Sequence, residues 1–91
     1  MDLKLIKFVN GDEIIAEVLD KYDTGMVIRR PMTLHLQQRE DGSVGANFIP
    51  ALIMTERNEM VVPYSAIMME GSPDEQFEKQ YLQITSGIAL A

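Results

Sequence analysis

Apolar and polar residues over the first two thirds of the chain come in short blocks separated by Gly or Pro at intervals of roughly ten to twenty residues, too tight for strand-helix-strand units. Short strands and turns are predicted instead. Leu3 to Val9 is one run, Asn10-Gly11 follows, and Ile14 to Leu19 is the next, the pattern of a hairpin closed by an Asn-Gly turn. In the second run Ile14, Ala16 and Val18 share one face and Glu17 takes the other. Ile15 and Leu19 break the alternation, so both faces of this strand are expected to be partly covered. Lys21 to Gly25 reads as a turn. After it Met26, Ile28, Met32, Leu34 and Leu36 fall on even positions, an apolar face of eleven residues that only Arg30 interrupts, and Pro31 beside it predicts a bend. Asp41-Gly42 marks a hairpin tip, from which Val44, Ala46 and Phe48 return facing inward, with a second kink at Pro50. Thr55 to Asn58 is predicted as a further turn, Met60 to Val62 as a strand, Pro63 to Ala66 as a tight turn and Ile67 to Met69 as a last strand.

The final third changes period. Ser72-Pro73-Asp74-Glu75 has the form of a capping box, with Ser72 as cap and Pro73 at the first helical position. Phe77, Tyr81, Ile84 and Ile88 then recur at helical spacing, a stripe expected to dock on the strands, and Gly87 is placed as the C-terminal cap.

Length and composition narrow the picture. Ninety-one residues, 46% apolar and 24% charged, make one globular domain of residues 1–91, too short for two cores and rich enough in apolar side chains to exclude disorder. The longest apolar run, Phe48 to Met54, is seven residues and contains Pro50, so no membrane span is predicted. The acidic start Met-Asp-Leu-Lys has no apolar core of a signal peptide, and a cytoplasmic location is the expectation. Absence of Cys removes disulfides and thiolate metal sites.

Candidate chemistry is sparse. His35, the single histidine, falls on the polar odd-numbered face of its strand with no nucleophile or acid assigned beside it. The acidic pairs Asp12-Glu13, Glu40-Asp41 and Asp74-Glu75 adjoin turns or the helix start, where solvation and the helix dipole account for them. No calcium-loop spacing, paired His ligands or glycine-framed Ser occurs, and Gly42-Ser43-Val44-Gly45 lacks the Lys of a nucleotide loop. No enzyme, metal or cofactor is expected. For nucleic acid the candidates are Arg29-Arg30, the one adjacent basic pair, and Tyr22 and Tyr64, turn aromatics on which a base stacks; Lys4 and Lys7 are the next nearest cations. A net charge of -6, from 8 basic and 14 acidic residues, opposes a broad phosphate footprint and leaves only a local patch.

The strand Leu5 to Val9, the turn Asn10 to Glu13, the strand Ile14 to Leu19 and the turn Asp20 to Asp23 together resemble the first motif of Sm and Sm-like proteins. Met60 to Val62, the tight turn and Ile67 to Met69 are similar to the second, in which a short helical turn links the last two strands. Lys7 to Val18 with Glu78-Lys79-Gln80-Tyr81 resembles in particular a group of short Sm-like proteins of marine viruses, of cyanophage origin. The resemblance implies a strongly bent antiparallel β-barrel of five or six strands over residues 1–69, here with a C-terminal helix over 72–88. It implies a homo-oligomeric ring of five to seven copies, closed by pairing of Met60, Val61 and Val62 with Ile67, Met68 and Met69 of the next copy. It also implies RNA as a partner and, for a viral protein, the host cytoplasm. The family's RNA readers are missing: Thr24-Gly25 and Pro63-Tyr64 stand nearest the positions of its Asn and its Arg-Gly pair, the usual N-terminal helix is absent, and there is one strand too many. Two functions stay open, a ring that binds RNA weakly and a viral or host-directed assembly protein that contacts only protein.

Overall fold

The computed structural model describes residues 2–51 and 59–90. The strands are β1 (Leu3–Phe8), β2 (Glu13–Lys21), β3 (Gly25–Gln38), β4 (Val44–Pro50), β5 (Glu59–Pro63) and β6 (Ile67–Gly71); a 3-10 turn (Tyr64–Ala66) joins the last two, and one helix, α1 (Glu75–Leu90), ends the chain. The turn expected at Thr55 to Asn58 lies outside the described residues. All pairings are antiparallel, in the order β4-β3-β2-β1-β6, with β5 also against β3. β4 follows the C-terminal half of β3, Met32 opposite Pro50, and β5 follows its N-terminal half, Gly25 opposite Pro63. The extra strand therefore shares one course with its predecessor.

β5 and β6 lie at opposite margins of this order, yet Met60, Val62 and Ile67 all pack on one cluster with Ile6, Ile14, Ala16, Val18, Met26 and Ile28. The sheet must curl for its margins to meet in one core. It does not close: among the described residues no strand pairing joins β5 to β6. The expected barrel is thus a curled open sheet.

A second cluster fills the opposite face. Leu3, Ile15, Met32 and Tyr81 are its buried members, with Leu5, Leu34, Phe48, Leu82 and Ile84 packed around them. The helix covers this face, and Phe77 meets Phe48 edge-on at 6.3 Å between ring centres. Ile15 broke the strand alternation for this reason. Leu19 breaks it for another, as a bulge: Val18 pairs with Ile28 but Asp20 pairs with Val27, leaving Leu19 extra.

The even-numbered face of β3 is two faces. Arg30 and Pro31 together oppose a single residue of β2, and Arg30 takes a positive φ of 52°. One added residue inverts the phase. Met26 and Ile28 therefore enter the first cluster, Met32 and Leu34 the second, and Leu36 is left exposed. For the same reason Phe48 packs under the helix rather than in the first cluster, and Val44 is exposed.

Candidate functional site

The two turn tyrosines converge. Tyr22 opens the turn after β2, and its N–H donates to the Gly25 carbonyl at 2.7 Å; the Tyr64 N–H donates to the Thr24 carbonyl at 3.0 Å. Gly25 permits this approach, because a Cβ there would stand 2.5 Å from the Val62 carbonyl oxygen. Tyr22 is 57% exposed and Tyr64 37%. Their surroundings are acidic. The Asp20 carboxylate accepts the Lys21 N–H at 2.8 Å and the Tyr22 hydroxyl, which holds the Tyr22 proton above its usual range. Lys21, the cation of this end, donates to Glu70 at 3.1 Å, and that bond raises its pKa. Asp20, Asp23 and Glu70 thus leave little attraction for a phosphate backbone.

Arg29 and Arg30 stand elsewhere. Arg29 pairs with Glu59, at the other end of β5 from Pro63, and across the sheet with Glu17. Its Nε donates to the buried Glu17 carboxylate at 2.7 Å. Arg30 sits in the bulge, where its carbonyl accepts the Tyr81 hydroxyl at 2.8 Å and the Arg29 carbonyl lies 3.4 Å from the same hydroxyl. Burial first, then the Glu17 charge, pushes the Tyr81 pKa up to about 12. The four residues nominated for nucleic acid form a tyrosine pair and an arginine pair in separate places.

The six residues nominated for subunit contact also divide. Met60, Val62 and Ile67 point into the first cluster. Val61, Met68 and Met69 point out, 69%, 51% and 58% exposed. Among the described residues β5 pairs only with β3 and β6 only with β1, so each has one free edge. Across β6, β1 and β2, on the paired side of β6, runs a groove of about 200 Å³ lined by Leu5, Lys7, Glu13, Met69, Glu70 and Gly71. Sequence reasoning missed the Lys21–Glu70 pair, which spans 49 residues and leaves no local spacing to read.

Among the described residues no group of three or more His, Asp or Glu side chains is placed to hold a metal ion, and no helix is long and apolar enough to cross a membrane. His35 is exposed, opposite Asn47. No protein-family model matches the chain, and no curated protein matches it.

Proposed function

We propose that this chain is an Sm-like protein that assembles with copies of itself into a ring and works through protein contacts, without catalysis. One observation carries the reading: the free edges of β5 and β6 lie at the two margins of one curled sheet, joined by a three-residue turn. A free edge is a template for another strand. Two different edges on one molecule make a head-to-tail contact that repeats until a ring closes. Val61, Met68 and Met69 supply exposed apolar surface beside those edges. Two features support the Sm-like assignment and its barrel: the helical turn between the last two strands, and β4 with β5 taking the course of one strand along β3. On that reading the neighbouring copy closes the barrel that one chain leaves open. The resemblance extends the proposal to a viral origin and a host cytoplasm.

Sedimentation at micromolar concentration tests it. The expected particle has roughly five to seven times the mass of one chain, and Val61→Lys or Met68→Glu dissociates it. A wild-type monomer at that concentration overturns the reading.

A second reading, weak binding of single-stranded RNA, is favoured by the convergence of Tyr22 and Tyr64, which every copy of a ring repeats around its axis. The acidic surroundings limit it to micromolar affinity or weaker. Fluorescence anisotropy with oligo-U at about 50 and 200 mM salt measures it: the expected slope is about -0.7 per phosphate contact, and Tyr22→Ala with Tyr64→Ala removes the signal. Absence of binding at the lower salt leaves protein contacts alone.

A further inference from the structure

Arg39 sits next to Glu40 and Asp41, yet among the described residues no carboxylate lies within ion-pair distance of its guanidinium. The hairpin turn explains this. The Asp41 carboxylate accepts the Ser43 N–H at 2.9 Å and the Ser43 hydroxyl at 2.6 Å, and both bonds hold its pKa below the usual carboxylate range. Backbone bonds from the Arg39 N–H to the Ser43 carbonyl at 2.8 Å and from the Gly42 N–H to the Arg39 carbonyl at 3.0 Å close the turn. The Asp41 carboxylate is thereby committed to the turn. The Arg39 side chain lies instead against the backbone of Gly45, where a Cβ would meet a terminal guanidinium nitrogen at 2.6 Å.

Beside it opens a cavity of about 150 Å³ lined by Arg39, Val44, Gly45, Gln76, Phe77 and Gln80. Gln76 and Gln80 are one helical turn apart and so share a face of α1. A guanidinium offers five N–H donors in a planar fork and accepts nothing, and its geometry matches two carboxylate oxygens. The flanking charges choose among anions. Asp74 caps the helix and Glu75 is paired with Lys79, but Glu40 and Glu78 form no ion pair among the described residues. A dianion feels twice the repulsion that a monoanion feels at the same distance.

We propose that this cavity binds a small monocarboxylate, the Arg39 fork holding the carboxylate and the Gln76 carboxamide donating beside it. Neither β5 nor β6 lines the cavity, so the site is independent of ring assembly.

Amide-resonance titration of the full chain at constant ionic strength tests it, with butyrate, acetate and inorganic phosphate as probes. Butyrate and acetate are both expected to shift Gly45 and Phe77 along a saturating curve at millimolar concentration, with phosphate weaker. Arg39→Gln, at an exposed position, is expected to weaken butyrate by about tenfold or more. Gly45→Ala, which displaces the guanidinium, is expected to do the same. No saturating shift in the wild type, undiminished binding in Arg39→Gln, or tighter binding of phosphate than of butyrate would overturn the assignment.

Discussion

The Tyr81 hydroxyl reaches the carbonyl of Arg30, 51 residues earlier in the chain, at the one place where β3 leaves regular geometry. A bulge frees backbone groups from the ladder, and under a helix they find no water. Tyr81→Phe keeps the ring and strands that carbonyl, so it is expected to cost about 1–2 kcal/mol in urea unfolding. The hydroxyl also sets a pH dependence. Its pKa is about 12 in the fold against 10.0 ordinarily, so both states hold the proton below pH 10. As pH rises from there toward 12 the unfolded chain gives up its proton and the folded chain keeps it, so stability falls. The urea midpoints of wild type and Tyr81→Phe are therefore expected to draw together above pH 10; a constant gap up to pH 12 would contradict the burial of this proton. Arg30 itself stands in the left-handed region, where a Cβ is strained and a β-branched one more so. Arg30→Val is expected to be less stable than Arg30→Gly by about 1–2 kcal/mol, measured by the same unfolding curves. Arg29 is no free probe for nucleic acid either, since truncating it leaves the buried Glu17 charge without its partner, a loss of about 3 kcal/mol.

At the scale of elements, the helix start shows what a local pattern decides and what it leaves open. Ser72-Pro73-Asp74-Glu75 holds two capping residues, and spacing alone favours Ser72 because Glu75 completes a capping box. The chain uses the other: the Asp74 carboxylate accepts the Phe77 N–H at 3.0 Å and the Glu78 N–H donates to the Asp74 carbonyl at 3.0 Å, so the helix begins at Glu75, two residues past Pro73. Ser72 is left facing Lys4, its hydroxyl 3.5 Å from the ammonium. Asp74→Ala is accordingly expected to cost about 1 kcal/mol, and Ser72→Ala less than about 0.5 kcal/mol. Thermal unfolding followed by circular dichroism separates the two, and equal losses would return the cap to Ser72. At the other end the helix runs on to Leu90, through Gly87 rather than stopping there. Strand positions were legible because Gly, Pro and Asn-Gly punctuate them. The faces of β3 were not, because the apolar residues from Met26 to Leu36 keep one even phase on both sides of Arg30 while the backbone slips by one residue there. Only Pro31 hinted at that slip, and a positive φ on an arginine has no signature in composition.

For the whole molecule, the alternation within each strand showed that two faces needed covering but not what would cover them. The helix stripe accounts for one, through Tyr81 on Ile15 and Met32. Curling accounts for the other, through Val62 and Ile67 in a single cluster. The nucleic-acid candidates were legible as residues and not as a site, because sequence puts Tyr22 and Tyr64 each in a turn while nothing local shows that the two turns meet or that Glu70 joins Lys21 there. The free margins remain, and they couple stability to concentration. If copies pair β5 with β6, unfolding must also separate neighbours, so the melting temperature rises with protein concentration, whereas that of a monomer does not. Between about 1 and 100 μM the favourable term grows by RT times the logarithm of the concentration ratio, about 2.7 kcal/mol for each association step. The rise is then expected to be about 10–20 °C for a domain of this size. Val61→Lys separates assembly from folding: the side chain points away from the core, so the variant is expected to keep its fold and lose the concentration dependence. Val62→Lys serves as contrast, because its site lies in the first cluster and a charge there is expected to unfold the chain at every concentration. A wild-type melting temperature that stays flat over that hundredfold range would show that the two margins do not meet in solution.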